Sequence, residues 1–391
     1  MADYFERSLS VHEKTRGKIG IDKKLPIETR DDLSLAYTPG VARPCEVIAE
    51  DPARAWDLTI KGNCVGIVTD GSAVLGLGNI GGLAALPVME GKALLFKEFA
   101  GIDAWPICLD TQETSEIIET VRRIAPVFGG INLEDIAAPR CFEIEDSLQD
   151  LGIPVFHDDQ HGTAVVLLAA LLNAERVLGK KIPDMKVVIN GAGAAGTAIT
   201  KLLRCVGHDS SVCVAVKDVI VCDSRGAIYP GRDHLNPEKE ALLEYTNSEG
   251  RQGALKDVIE GADVFIGVSK GNLLDGDDIR RMAEGSVVLA MANPIPEIMP
   301  EDALAAGAAI VCTGRSDFPN QVNNSLAFPG IFRGALDARA ERIDSRMKIA
   351  AAHALADSVE NPSPEEIIPH PLDRSVAPRV AAAVRAAAAV R

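Results

Sequence analysis

Several features that would indicate a nucleic-acid-binding, membrane or secreted protein are missing from this chain of 391 residues. It has no run of Lys and Arg, and its formal net charge is −16, whereas nucleic-acid binding needs a concentrated basic surface. It has no stretch of 18 or more uncharged apolar residues, and no apolar run follows basic residues at the amino terminus. We therefore expect a cytoplasmic protein that binds neither nucleic acid nor membrane.

The cysteines lack the C-x-x-C spacing that zinc sites and redox motifs use. Their scatter along the chain predicts buried, reduced thiols that form neither a zinc site nor a disulfide framework. The eight cysteines are Cys45, Cys64, Cys108, Cys141, Cys205, Cys213, Cys222 and Cys312.

The length and the apolar runs predict an α/β protein with two domains. One hydrophobic core usually stops growing below this length. Beyond residue 185, apolar runs alternate with helix-like or polar segments, which indicates a parallel sheet with helices on its faces. We predict an N-terminal α/β substrate and catalytic domain at 1–155 and a C-terminal Rossmann-like parallel-sheet domain at 156–391. The runs lie at 186–190, 219–223, 262–269, 286–293 and 308–314.

Shorter elements are predicted in the rest of the chain from residue periodicity and from glycine and proline positions. We expect helices at 44–49, at 86–96 with Lys92 near the middle, at 162–179 as the bridge between domains, and in the alanine-rich tail. We also expect a strand at 64–69 and a glycine-rich loop at 71–82.

A glycine-rich turn follows the apolar run at 186–190 and opens a helix-like segment, which is the context that dinucleotide binding requires. The first glycine permits a tight turn, the second lets the backbone approach a pyrophosphate, and the third lets helix and strand pack closely. The amino terminus of the helix then favours the negative phosphates. The predicted cofactor-binding residues of this turn are Gly191, Ala192, Gly193, Ala194, Ala195 and Gly196.

Two further residues are predicted to bind the cofactor. Asp223 ends the second apolar run, where an acid accepts the ribose 2′-hydroxyl and so favours NAD. It lies 27 residues (223 − 196) beyond Gly196, more than the roughly 20 that are usual, which predicts an inserted segment around 208–217. The next two residues, Ser224 and Arg225, could instead bind a 2′-phosphate, so NADP remains an alternative. Asn293 lies at the carboxyl edge where such sheets bind ligands, although a turn-forming Asn before Pro is the alternative.

Two acidic pairs, Glu134-Asp135 and Asp158-Asp159, lie upstream of the glycine turn. Carboxylates suit Mg²⁺ or Mn²⁺, which are hard cations that prefer oxygen ligands. The second pair lies between an apolar stretch and an apolar helix, where carboxylates are costly to bury. We therefore predict Glu134, Asp135 and Asp159 as metal ligands.

Two histidines flank the second acidic pair. His157 and His161 are four residues apart, a spacing that also occurs in zinc sites. No third nitrogen or sulfur ligand is near them in sequence, so the sequence favours the carboxylate site.

Eight short motifs follow one another along nearly the whole chain: LAYTPGVA at 35–42, GLGNIG at 76–81, LPVMEGKALLFKEFAGIDA at 86–104, INLEDI at 131–136, HDDQHGTA at 157–164, GAGAAG at 191–196, ANP at 292–294 and NNSLAFPG at 323–330. Each motif alone is a weak signal. In this number and order they resemble the malic enzymes in their short prokaryotic form.

The resemblance implies oxidative decarboxylation of L-malate to pyruvate and CO₂ with reduction of NAD or NADP, in a homodimer or larger homo-oligomer. Tyr37 would be the general acid and Lys92 the general base, and Asp158 would lie beside the metal ligands Glu134, Asp135 and Asp159. Asn293 and Asn324 would contact substrate or nicotinamide. In the longer family members an arginine of the glycine-rich loop binds a malate carboxylate, and this chain has Ala73 at about that place. The substrate would then be held by loop residues such as Gly76, Gly78 and Asn79.

The proposed chemistry places a demand on Lys92. A lysine with an ordinary pKa of about 10.4 is a poor base at neutral pH, so we expect burial or the nearby cation to lower the pKa of Lys92. The metal would stabilise the enolate that forms when CO₂ leaves. Two other functions are compatible with the same motifs, namely non-oxidative decarboxylation of malate or oxaloacetate and a catalytically silent dinucleotide sensor.

Overall fold

Short helices precede the first sheet. The structure, a computed structural model, describes residues 2–74 and 76–389. Thr29 and Asp32 form a capping box at the start of the second helix, with each side chain accepting a hydrogen bond from the other residue's backbone N–H. None of residues 4–63 is buried. These helices are α1 Ala2–Thr15, α2 Arg30–Ala36, α3 Ala42–Glu50 and α4 Ala55–Leu58, with 3₁₀ turns at Pro52–Arg54 and Ile60–Asn63.

The first sheet has four parallel strands among the described residues, in the order β2-β1-β3-β4. All six residues of β1 are buried, as expected for a parallel strand covered on both faces. The strand predicted at 64–69 and the helix that carries Lys92 are confirmed. The strands are β1 Cys64–Thr69, β2 Asp103–Cys108, β3 Gly130–Leu133 and β4 Val155–His157, and the helices are α5 Gly81–Ala100, α6 Thr114–Ile124 and α7 Arg140–Ser147, with a 3₁₀ turn at Ala125–Val127.

The second sheet has the order β10-β9-β8-β5-β6-β7 within the described chain, with every pairing parallel except that of β6 with β7. The five apolar runs predicted beyond residue 185 all become strands of this sheet. The strands are β5 Lys186–Asn190, β6 Asp218–Asp223, β7 Gly226–Ala227, β8 Val264–Gly267, β9 Val287–Ala290 and β10 Ile310–Thr313, and the helices are α9 Ala194–Leu203, α10 Pro237–Leu242, α11 Leu255–Val258, α12 Gly276–Arg280 and α13 Pro300–Ala305.

A long helix, α8 Asp158–Leu178, joins the two sheets and ends at Gly179 in the left-handed conformation. One cluster of buried apolar side chains runs from β1 and α5 through α8 to β5 and α9. In the part of the chain that the structure describes, α8 is the helix long and apolar enough to cross a membrane by length and composition, but 61% of that stretch is buried inside the protein. It is therefore a core helix.

Three helices at the carboxyl end return to the first half of the chain. They are α14 Phe328–Asp337, α15 Ser345–Ala356 and α16 Val376–Ala388, preceded by a 3₁₀ turn at Asn324–Leu326. Helix α14 contacts α5, α15 contacts α8, and both contact α16. Phe328 and Phe332 pack edge-on against Phe96 of α5. This packing brings the NNSLAFPG motif at 323–330 to the helix that carries Lys92.

The prediction for the cysteines was wrong in two respects. Cys205 and Cys213, eight residues apart, form a disulfide in the segment between α9 and β6. Cys45 is exposed, while Cys64, Cys141, Cys222 and Cys312 are buried as expected. The spacing of the cysteines did not predict the disulfide, because the two thiols meet through the fold of the segment between α9 and β6.

Candidate active site at the edge of the first sheet

The two acidic pairs meet at the carboxyl edge of the first sheet. Glu134 and Asp135 follow β3, and Asp158 and Asp159 open α8 directly after β4. Strands β3 and β4 are parallel neighbours, with Leu133 opposite His157, so the residues after them lie side by side. Sheet pairing thus joins two loops that are separated by more than twenty residues in the sequence.

Three of these carboxylates form a cluster suited to a cation. Glu134, Asp135 and Asp159 each offer an oxygen, and these atoms lie within 4.8 Å of one another. Asp135 has a φ of 54°, a left-handed conformation that aspartate tolerates, and its backbone N–H donates to Asp159 Oδ2 over 2.8 Å. Its own Oδ2 is buried and has no hydrogen-bond partner among the described residues. A buried carboxylate oxygen without a donor is what a cation would satisfy.

Burial and mutual repulsion shift the pKa values of this cluster upward. Burial, then the charges of Asp159 and Glu134, raise the pKa of Asp135 to about 9. Burial raises the pKa of Asp159 to about 6, although Lys92 opposes the shift. Glu134 shifts in the same direction, chiefly through burial. Lys92 therefore does not offset the combined effect of burial and mutual repulsion on the pKa values of these three carboxyl groups.

Lys92 lies against the acids because its helix turns it inward. Ala85, Met89, Lys92 and Phe96 share the buried face of α5, at the spacing of one helix stripe. The ammonium Nζ of Lys92 lies 2.8 Å from Glu134 Oε1 and 2.5 Å from Asp158 Oδ2. A single lysine thus bridges the two acidic pairs.

The direction of the pKa shift at Lys92 is opposite to the expectation. Burial by itself lowers the pKa of Lys92, but the charges of Asp158, Glu134 and Asp159 outweigh it and raise the pKa above its ordinary value. The sequence placed the acids nearby but gave no way to weigh three charges against burial.

Asp158 takes a different position from its neighbour Asp159. Its side chain is fully buried, whereas that of Asp159 is one-third exposed. Burial raises the pKa of Asp158 to about 7, while Lys92 opposes the shift. Asn324, at the start of the turn before α14, lies close enough to Asp158 to lower that carboxyl's pKa. The structure therefore brings Asn324 to the site and turns Asp158 toward the lysine.

No hydrogen bond joins Tyr37 to Lys92 among the described residues. Tyr37 follows α2 as the C-cap residue and is 67% exposed. Its hydroxyl has no hydrogen bond to any residue that the structure describes. Lys92, by contrast, is 7% exposed.

The glycine-rich loop is anchored to the segment after β3 that contains Glu134 and Asp135. The backbone N–H of Ala73 donates to the carbonyl of Asp135 over 2.9 Å, and the N–H of Ala137 donates to Ser72 Oγ over 2.9 Å. Gly76 and Gly78 have positive φ values of 78° and 74°, a conformation that favours glycine. The loop therefore needs glycine at both positions and places Ala73 beside a predicted ligand.

Other predicted residues of this region lie further from the acids. Both amide atoms of Asn79 bond to Gln112, over 3.0 and 2.8 Å, on the exposed surface. A side chain at Gly76 would lie 3.5 Å from the carbonyl oxygen of Asn293. The loop of the first sheet and the Asn293 segment of the second sheet thus face each other.

The glycine turn of the second sheet has the predicted geometry. A Cβ on Gly196 would lie 1.7 Å from the carbonyl oxygen of Gly191, so only glycine fits there. Gly191 itself has a φ of 131°. A Cβ on Gly193 would meet nothing within 4 Å, which leaves open space where a nucleotide would approach. Ala194 and Ala195 begin α9.

Asp223 ends β6 as predicted, but two cations hold it. Its Oδ2 accepts hydrogen bonds from Arg232 Nη2 over 2.6 Å and from Lys239 Nζ over 2.7 Å, and Oδ1 accepts from the backbone N–H of Arg225 over 2.9 Å. Partial burial opposes the shift, but these bonds lower the pKa of Asp223 to about 2. Neither cation was predicted, because each reaches Asp223 only through the folding of the segment after β7.

Two residues that support the acids were missed by the sequence analysis. Asn132 in β3 donates from Nδ2 to Glu134 Oε2 over 2.8 Å. Glu145 in α7 accepts hydrogen bonds from the backbone N–H of His157 and from Gln160 and bonds to His161, over 3.0 to 3.1 Å. A signal existed for both, since each polar residue interrupts an otherwise apolar strand or helix face. His161 is thereby committed to Glu145, which leaves the three carboxylates as the candidate cation site.

Comparisons with known proteins agree over nearly the whole chain. Residues 16–149 match the family description "Malic enzyme, N-terminal domain", and residues 160–389 match "Malic enzyme, NAD binding domain". The chain is 56% identical over 387 residues to the bifunctional malic/malolactic enzyme of Bacillus subtilis, covering 98% of this chain and 92% of that protein. It is 57% identical over 375 residues to the NAD-dependent malic enzyme of Geobacillus stearothermophilus, covering 95% and 77%.

Solved structures give the same result. The crystal structure of the NAD-dependent malic enzyme from Thermotoga maritima is 50% identical, with a TM-score of 0.92, over 96% of this chain and 98% of that chain. The malic enzyme of Entamoeba histolytica is 40% identical, with a TM-score of 0.92, over 98% and 81%. The α/β fold with two domains is confirmed.

Proposed function

This chain belongs to the malic enzyme family, and we propose that it catalyses the oxidative decarboxylation of L-malate to pyruvate and CO₂ with reduction of NAD or NADP. The observation that carries the proposal is the buried Lys92, ion-paired to both acidic pairs beside a cluster of three carboxylates. This arrangement offers a proton-transfer group next to a cation site, which hydroxy-acid oxidation and decarboxylation both use.

Glu134, Asp135 and Asp159 are proposed to hold Mg²⁺ or Mn²⁺. The unpartnered oxygen of Asp135 and the raised pKa values of the cluster support this assignment. A hard divalent cation there would supply Lewis-acid stabilisation of the negative charge that develops on the substrate oxygen during decarboxylation. Asn132 would fix the orientation of Glu134 through its hydrogen bond.

Lys92 is proposed to accept the proton of the malate C2 hydroxyl as the hydride leaves for the nicotinamide. The carboxylates that raise the pKa of Lys92 include the proposed cation ligands Glu134 and Asp159. Neutralising those two charges would bring the lysine toward a neutral, basic form. Asp158 is assigned to positioning, since its pair with Lys92 fixes the ammonium at the site.

Tyr37 is proposed to protonate C3 of the enolate, acting on the site of a second copy of the chain in a homodimer. Its hydroxyl is exposed and unpartnered here, and the segment that carries it presents many apolar side chains to solvent. An interface between copies would cover that segment and supply Tyr37 to the neighbouring site. Gly76, Gly78, Asn79, Asn293 and Asn324 are proposed to line the malate site.

NAD is proposed as the preferred nucleotide. Gly191 to Gly196 would receive the pyrophosphate, Asn293 the nicotinamide end, and Asp223 the ribose 2′-hydroxyl. Arg232 and Lys239 hold the carboxylate in place to accept a hydrogen bond from the 2′-hydroxyl, and the carboxylate in turn occupies the two cations that could bind a 2′-phosphate. We further propose a domain boundary at 155/156 and a cytoplasmic location, without a nucleic-acid or membrane partner.

The test is to mix the protein with L-malate, Mn²⁺ and either NAD or NADP, and to follow the absorbance of the reduced nicotinamide together with pyruvate formation. We expect sustained, equimolar formation of reduced cofactor and pyruvate. No reduced cofactor with either nucleotide would refute the proposal.

A second activity is worth testing because the Bacillus subtilis relative is named a bifunctional malic/malolactic enzyme. A malolactic reaction would yield lactate from malate without net formation of reduced cofactor. Measuring lactate in the same mixtures separates the two reactions, and a dinucleotide sensor would produce neither product.

A further inference from the structure

A cavity of about 420 Å³ lies between the two halves of the fold, apart from the candidate active site. Its walls come from α7, the first turns of α8, the middle of α9 and the segment at 342–348 that begins α15. None of the residues assigned above to malate, cation or nucleotide lines it. Its size is that of an ordinary small-molecule site, for which about 300 to 1,000 Å³ is typical.

Three cationic side chains border this cavity. Lys201 comes from α9, Arg342 from the loop before α15, and Lys348 from α15 itself. Within the described ranges, none of the three side chains makes a hydrogen bond or an ion pair. Lys348 is partly buried, and its charged end has only the ring of Phe156, at 5.9 Å, as a specific contact. Burial lowers the pKa of Lys348, so its charge is held there at a cost.

The acids around the cavity are already engaged or lie at its rim. Glu145 accepts hydrogen bonds from the backbone of His157 and from Gln160, and bonds to His161. Asp344 caps α15 by accepting from the N–H of Met347 over 2.9 Å. Asp146 is exposed. The charges of these three acids raise the pKa of Lys348 against the effect of burial, but none of them forms a salt bridge with a lysine of the cavity among the described residues.

We propose that this cavity binds a small organic anion with at least two negative charges, such as a phosphate ester or a polycarboxylate. Lys201 and Lys348 supply the ammonium groups, which bind phosphate and carboxylate as point charges. Val165, Leu202 and Ile343 supply apolar wall for a short carbon body. The site is separate from the proposed active site and does not depend on malate turnover.

The first experiment measures the Tm of the metal-free protein with saturating NADH, which fills the glycine turn, at constant ionic strength. Glycerol 2-phosphate and tricarballylate are titrated separately, with neutral glycerol as the control. A ligand that binds the folded state raises Tm in a saturable manner. We expect such a shift with at least one anion and none with glycerol. The anion that binds with the higher affinity shows whether the cavity prefers phosphate or carboxylate.

The second experiment locates the binding with variants. Lys348→Met and Lys201→Met should each weaken the binding of the anion by about tenfold or more, whereas Lys217→Met, which removes an exposed lysine just before β6 and outside the cavity, should leave it unchanged. The proposal is overturned if neither anion gives a saturable shift up to about 10 mM, or if both cavity variants bind as the wild type does.

Discussion

The amino-terminal segment and the first sheet are adjacent in sequence but differ in how they are packed. None of residues 4–63 is buried, whereas every residue of β1 from Cys64 to Thr69 is. The segment is nevertheless rich in apolar side chains, and those more than half exposed include Tyr4, Phe5, Leu9, Val11, Ile21, Leu25, Ile27, Leu35 and Tyr37. Monomeric proteins rarely leave so much apolar surface open.

The comparison teaches that the two proposed catalytic residues have different structural requirements. Lys92 is fixed by contacts within one chain, through Glu134 and Asp158. Tyr37 has no such contact and lies on the uncovered segment. With the proposed roles, proton removal by Lys92 would depend on the fold of one chain, and protonation by Tyr37 would depend on assembly.

The largest effect should follow removal of the buried lysine. Lys92→Ala should lower kcat by about 10³-fold or more, since a positioned general base contributes 10² to 10⁴, while NADH binding stays near normal. Steady-state kinetics and NADH titration check this. Lys97→Ala, which removes an exposed lysine of the same helix, is the control. Turnover within tenfold of wild type would remove Lys92 from the base role.

The exposed tyrosine should have a smaller but more informative effect. Tyr37→Phe should lower kcat by about 10²-fold, and Tyr4→Phe in the same segment should not. Dimers formed from equal amounts of Tyr37→Phe and Lys92→Ala chains should regain about a quarter of wild-type activity, because half of them carry one intact site of two. No regain in verified mixed dimers would mean that Tyr37 does not act across the interface.

The acidic cluster should respond through metal affinity. Asp135→Asn should weaken Mn²⁺ activation by about 100-fold, measured as the Mn²⁺ concentration for half-maximal rate. An unchanged Mn²⁺ dependence would exclude Asp135 as a ligand. Asp233→Asn, at an exposed acid, is the matched control.

The same variant should change the pH dependence of metal-free stability. The pKa of folded Asp135 is raised to about 9, so its charged form destabilises the fold, and the penalty grows as pH rises from the ordinary carboxyl range through the folded pKa. With a chelator present, the wild-type Tm should fall between about pH 6 and pH 9, and that of Asp135→Asn should fall less. Parallel Tm profiles would contradict the repulsion inferred for the cluster.

The smallest effect is expected at the second sheet. Asp223→Ser should free Arg232 and Lys239 for a 2′-phosphate and shift the ratio of kcat/KM for NAD over NADP toward NADP by about tenfold. Glu244→Ser, an acid outside the nucleotide turn, is the control. An unchanged ratio of kcat/KM for NAD over NADP would show that Asp223 does not bind the ribose 2′-hydroxyl.

Much of the fold could be predicted because its signals are local. Apolar runs gave the strands of the second sheet, and the glycine spacing at 191–196 gave the dinucleotide turn. The three acids were proposed as ligands from their residue type and from the apolar sequence around Asp158-Asp159, without knowledge of the sheet that joins the two pairs. Each of these inferences needs only a short window of sequence.

The rest depends on side-chain contacts that residue spacing does not predict, whether the partners are near or distant in sequence. The pairing of Lys92 with Asp158, the cations on Asp223 and the disulfide between Cys205 and Cys213 all arise from tertiary packing. The sign of the pKa shift at Lys92 depends on a balance between burial and three charges. Hydrophobic periodicity carries no information about such a balance.

Helix α8 has a consequence for how the protein can be divided. Its apolar side chains belong to one core that includes strands of both sheets, so neither half of the chain can cover it alone. A cut between the two family domains would leave a 21-residue apolar helix facing water on one side. The two halves therefore cannot be exchanged as independent modules, and a chimera between relatives would have to match residues on both sides of α8.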